Sequence, residues 1–127
     1  MTRDEHYRKT FWTRYAVAKH AATSRGLAFD LDPLEYRALW GKPCHYCGAP
    51  IERIGIDRVD NAKGYTAANT VPCCWVCNAW KSTFTMDEFK THLTRLYRTL
   101  VLGEALPDDG YRTPPPSIGK RRPVAST

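Results

Sequence analysis

"CHYCGAPIERIGIDRVDNAKGYTAANTVPCCWVCNAWKS", residues 44–82, sets a cysteine pair at each end of a polar, glycine-containing stretch. Cys44 and Cys47 form one CxxC unit and Cys74 and Cys77 the other, with 26 residues between them. Two CxxC units supply four thiolates, the ligand set that a tetrahedral zinc ion takes. The bland alternative is four buried, unligated cysteines. An intervening segment of this length must leave the first knuckle and return, and a β-hairpin with a long loop does that. "ERIGIDRV" alternates as a strand, with Ile54, Ile56 and Arg58 on one side and Gly55, Asp57 and Val59 on the other. Residues 60–69 hold Asn61, Gly64 and Asn69, all turn formers. "TVPCC" is the return strand, and Pro72 favours an edge position. "WVCNAWKS" begins a helix. Cys73 points away from Cys74 in a strand and reads as a core thiol rather than a fifth ligand.

Outward from this stretch the chain reads as helices. Thr2 and Glu5 have capping-box spacing, and Tyr7, Phe11, Tyr15, Ala18 and Ala22 recur on one face of a helix over residues 3–24. Gly26 ends it. "LAFDL" is extended, and Asp32 with Pro33 and Glu35 starts a short helix that stops near Gly41. Thr85 and Glu88 make a second capping box. Met86, Phe89, Leu93, Leu96, Tyr97 and Leu100 then line the expected core face of a helix ending at Gly103. Three segments result: 1–43, a basic helix and a short second helix; 44–102, the cysteine-bounded core with its C-terminal helix; and 103–127, a proline-rich tail. The tail carries Lys120, Arg121 and Arg122 and reads as flexible and disordered.

Composition narrows the function classes. The chain has 127 residues and net charge +6, which favours one domain and a polyanionic partner. Residues 1–25 concentrate the excess, with six cations against Asp4 and Glu5. Among them Arg14 and Lys19 are candidates for DNA contact, the alternative being a solvated helix face. Five cysteines is an odd number, which argues against a disulfide framework. No apolar run spans a bilayer, and the first twenty residues are too charged for a signal peptide, so a cytoplasmic protein with no membrane partner is expected.

The order CxxC, Asp-led strand, Gly-Tyr loop, Asn, then CxxC-Asn-x-x-Lys resembles the HNH, or ββα-metal, endonucleases of phage and bacterial type. "CHYCG", "GIDRVDNAKGYTAANT" and "CCWVCNAWKS" carry the resemblance over residues 44–82, and "SRGLAFDLDPLEYRALW" looks like the lead-in of phage-type members. The resemblance implies an α+β fold: a small zinc-stabilised ββα-metal core with flanking helices at both ends. It implies a metal-dependent DNA endonuclease that hydrolyses phosphodiester bonds. Asp57 and Asn78 would bind Mg²⁺ or Mn²⁺. Asn69 would tie the loop to the strand, and Lys81 would steady a neighbouring phosphate. If phage-encoded, the protein would work in the bacterial host cytoplasm, with a phage or host replication or packaging protein as a further class of partner.

One position departs from the family pattern. Arg58 follows the metal-binding Asp where the family has its general-base His. A guanidinium with a pKa above about 12 does not take a proton at neutral pH. Three readings stay open. Another group, such as Asp60, Tyr65, His45 or metal-bound hydroxide, is the base while Arg58 grips the phosphate. Or the chain is a catalytically weak or inactive zinc-containing DNA-binding module. Or Arg58 is a structural partner of Asp60 or Asp57. A protein-interaction domain that keeps the zinc fold for stability alone is a further class.

Overall fold

A computed structural model describes residues 2–114, with backbone alone for residues 3–9. The basic end of the tail, Lys120 to Arg122, lies outside the described residues, as does the Glu5 side chain of the first capping box. The described chain divides into two compact units, 2–80 and 81–114.

The first unit opens with helix α1, Arg3–Ser24. Gly26, at φ 72°, reverses the chain after it, with Leu27 N–H donating to the Ala22 carbonyl. An extended segment follows, and α2, Pro33–Arg37, starts at the full capping box of Asp32 and Glu35. Apolar spacing on α1 meets α2 in an aromatic cluster: Phe11 packs on Tyr36 and Trp40, and Tyr15 on Phe29 and Tyr36. Tyr15 also donates its hydroxyl to the Leu31 carbonyl at 2.6 Å, which fixes the extended segment to α1.

Two short strands follow, β1 at Ile56–Arg58 and β2 at Thr70–Pro72, paired antiparallel with Asp57 opposite Val71. The expected first strand is longer than the observed one, because the chain bends at Glu52 and Arg53. Gly55 continues the pairing, its carbonyl accepting from Cys73 N–H. A Cβ at Gly55 would lie 2.5 Å from the Cys73 carbonyl oxygen, so the approach needs glycine. Helix α3, Trp75–Lys81, leaves β2 directly. The resulting β-loop-β-helix order is the expected one.

The loop 60–69 is not a free excursion. Phe29 and Tyr65 form an isolated parallel bridge, with Tyr65 N–H donating to Ala28 and Asp30 N–H to Tyr65. Ala22, Leu27, Leu31 and Tyr65 make the buried core of this unit, with Phe29 and Ile56 against it. The Gly-Tyr of the loop therefore belongs to the core, and the lead-in segment is its third strand-like layer.

In the second unit α4, Met86–Leu96, starts at the Thr85–Glu88 capping box and runs into a π-helical turn, Tyr97–Val101. Its expected core face is only partly covered: Phe89 is buried, while Leu93, Tyr97 and Leu100 are exposed. The segment after Gly103 turns back along α4. Arg98 holds Glu104, Arg95 holds Asp109, and His92 Nδ1 lies 2.9 Å from the Tyr111 hydroxyl.

Candidate functional site

The four cysteines of the two CxxC units come together. All four sulfurs lie within 4.8 Å of one another, and Cys47 and Cys74 are 3.8 Å apart. Four thiolates at about 2.3 Å from one tetrahedral ion stand about 3.8 Å apart, so the spacing fits such an ion. Local backbone builds each knuckle. Gly48 N–H donates to the Cys44 carbonyl and Cys44 N–H to Ala49 in the first, while Cys77 N–H donates to Cys74 Sγ in the second. His45 N–H donates to the Pro72 carbonyl, fastening the first knuckle to β2. Burial pushes the Cys44 thiol up, but hydrogen bonds from the backbone of Cys47, Cys74 and Tyr46 outweigh it and bring its pKa to about 6. Cys77 is pushed up, by burial and by the neighbouring thiols. Four sulfurs this close do not all ionise unless a cation neutralises them. Cys73 is fully buried and outside the cluster, as its strand position predicts.

Adjacent residues on a strand face opposite ways, and β1 uses this to separate Asp57 from Arg58. Asp57 is buried, and its Oδ2 accepts a hydrogen bond from the Tyr46 hydroxyl at 2.7 Å. Burial and that same carboxylate push the Tyr46 hydroxyl well above its ordinary value, so it stays a donor. Nothing in the sequence spacing marks Tyr46; only the packing of the knuckle onto the sheet carries its ring to Asp57.

Arg58 turns to the other side and is equally buried. Its Nη1 donates to the carbonyls of Asn61 and Lys63, at 2.7 and 3.0 Å, and its guanidinium lies 5.6 Å from the Tyr65 ring centroid. The polar loop is wrapped around this cation. Of the three readings of Arg58, the structural one is in keeping with these contacts, the carbonyls of Asn61 and Lys63 being among its partners. Asn69 closes the same loop: its Oδ1 accepts from Asp60 N–H, and its Nδ2 donates to the carbonyls of Asp60 and Gly64.

The remaining candidates separate. Asn78 is half-buried on the second turn of α3, its N–H donating to Cys74. Lys81 ends α3 with no exposed surface, so its ammonium does not face a phosphate in this structure. Arg14 is half-buried and Lys19 exposed on α1. Among the groups weighed as a base, Tyr65 is buried with its hydroxyl accepting from Arg25, and Asp60 caps Ala62 N–H in its own turn. His45 is exposed, its ring 5.1 Å from that of Tyr46.

No family model matches the chain. The structure is similar to that of the rare-cutting HNH restriction endonuclease PacI, described for its extraordinary mechanism of DNA perturbation. The TM-score is 0.55 at 22% identity, over 75% of this chain and 82% of that one. The fold is HNH-type. The elements that the HNH resemblance leads one to expect are the ones just assembled: a cysteine-bounded knuckle, a two-stranded hairpin with Asp57 on its first strand, and a helix leaving the second. In sequence, 78 residues are 35% identical to "Uncharacterized protein R423" of Acanthamoeba polyphaga mimivirus, covering 60% of this chain. The chain spans only 15% of that protein's length.

Proposed function

We propose that this HNH-type chain is a metal-dependent DNA endonuclease that hydrolyses phosphodiester bonds. One observation carries the reading: a buried carboxylate, Asp57, on the first strand of a cysteine-clamped hairpin, with one oxygen held by Tyr46. Zinc is the ion that the four-cysteine cluster suits, where Cys44, Cys47, Cys74 and Cys77 would hold it and it would tie knuckle and helix together. Asp57 and Asn78 are the residues for a second, divalent ion. A carboxylate and an amide oxygen are hard donors, few in number, which suits Mg²⁺ or Mn²⁺ with positions left for water and phosphate. Such an ion supplies Lewis-acid stabilisation of the charge on the phosphate and its leaving oxygen.

The chain's own groups do the rest. Tyr46 fixes the rotamer of Asp57 and offsets part of the cost of burying it. Asn69 and Arg58 hold the loop that follows β1, and so hold β1 in place. His45 is the proton acceptor in this reading, because it is the solvent-facing imidazole beside Tyr46. Arg58 and Lys81, both buried, are left out of the DNA contact and become supports. Arg14 and Lys19 remain in it. DNA is the partner, and the cytoplasm of a host cell is the compartment if the gene is viral.

The burial of Arg58 at the base position favours one second reading, a zinc-containing DNA-binding module without catalysis. Supercoiled plasmid incubated with Mg²⁺ or Mn²⁺ decides between them. We expect metal-dependent nicking by the native chain and none by Asp57→Ala. Binding without nicking in both proteins would select the second reading.

A further inference from the structure

Arg14 on α1, Lys42 just ahead of the first knuckle, and Arg53 just ahead of β1 come from three separate segments, and all line one open groove of about 260 Å³. Trp40 and Ile54 contribute to its walls, and Glu52 is the carboxylate among the lining residues. None of the three cations has a hydrogen bond or ion pair among the described residues. Elsewhere the chain does pair its arginines: Arg95, Arg98 and Arg112 each hold a carboxylate. Three cations against one carboxylate leave the lining of this concavity at net +2, and a bound anion relieves the remaining repulsion. The groove is smaller and more polar than the apolar pockets of about 300–1,000 Å³ that take small organic ligands. Trp40 forms a fixed wall, since its ring packs on Phe11 at 5.5 Å and on Tyr36 at 6.2 Å.

The position of the groove points to the kind of anion. Ile54 in its wall is three residues from Asp57, so their Cα atoms are at most about 11 Å apart. Duplex DNA advances about 3.4 Å per nucleotide along each strand. A duplex lying along this groove then passes Asp57 within a few nucleotide steps.

We propose that Arg14, Lys42 and Arg53 form a binding site for the sugar-phosphate backbone of duplex DNA, flanking the phosphate to be cut. The proposal rests on the endonuclease reading for what is cut, but not for the binding itself. Lys42→Glu/Arg53→Glu tests it, with Lys90→Glu as a single charge-reversal control on α4. Binding to a short fluorescein-labelled duplex is followed by anisotropy over a salt series, without added Mg²⁺ or Mn²⁺ and without chelator. Circular dichroism checks that each variant is folded. The slope of log K against log salt is expected to fall by about 2 in the double variant, one for each cation taken away from a phosphate. Lys90→Glu should keep the native slope. An unchanged slope in the double variant, or no duplex binding by the native chain, overturns the proposal. Nicking is read separately. A native chain that binds through this groove but never nicks defeats the endonuclease reading and leaves the groove standing. Nicking at unchanged KM in the double variant does the reverse.

Discussion

Arg58 has the position of a base and the surroundings of a structural cation. An arginine buried to 5% exposure is expensive unless its N–H groups are matched, and the carbonyls of Asn61 and Lys63 match those on Nη1. Replacing it with the family's histidine removes those hydrogen bonds, because an imidazole on one methylene does not reach where a guanidinium on three does. We expect Arg58→His to lose about 2–3 kcal/mol of stability, two carbonyls being left without their donor. Urea unfolding measures the loss, and plasmid nicking on the same preparation should show no gain in rate. A faster, equally stable Arg58→His would mean that the native site lacks only a base. Sequence alone left Arg58 open among three roles. The alternation of a strand decided which side it faces, and the loop wrapped around it supplies the carbonyls that its Nη1 meets there.

The loop of residues 60–69 is the element whose part in the fold changes most. Its polar, turn-rich composition reads as an excursion between strands, yet Tyr65 lies in the core and bridges to Phe29. Gly64 makes this close approach possible. A Cβ there would stand 2.7 Å from the Ala28 carbonyl oxygen and 2.8 Å from the Ala28 Cβ. Gly64→Ala therefore forces two backbone segments apart, and we expect a loss of about 1–3 kcal/mol, seen as a lower urea midpoint. An unchanged midpoint would show that the lead-in segment is not fastened to the loop. A glycine followed by tyrosine in a polar stretch carries no signal of this in the sequence, because the partner lies 36 residues earlier.

At the scale of the molecule, the cysteine cluster substitutes for a larger core. Few side chains in the first unit are fully buried, and the two strands are three residues each, too short to persist alone. Metal at Cys44, Cys47, Cys74 and Cys77 would join the knuckle, β2 and α3 in one step, so binding free energy becomes folding free energy. Protein purified without chelator is expected to carry about one zinc per chain by elemental analysis. Stripping that zinc should collapse the far-ultraviolet dichroism and abolish duplex binding together, and zinc should restore both. A chain that keeps its dichroism after the metal is removed would show that packing alone holds the hairpin.

By itself the sequence determined whatever depends on short-range pattern. Helix α1 over residues 3–24, both capping boxes on α2 and α4, the hairpin between the cysteine pairs and the metal-ligand character of those cysteines all follow from spacing within a few residues. The HNH-type fold was legible for the same reason, since its motif is a dense local string. Tertiary structure alone decided the contacts that span the chain. It brought Tyr46 to Asp57, turned Arg58 into its loop, buried Lys81, and gathered Arg14, Lys42 and Arg53 around one groove. Each of those arrangements depends on how separate segments pack, and packing distance is not a function of sequence separation.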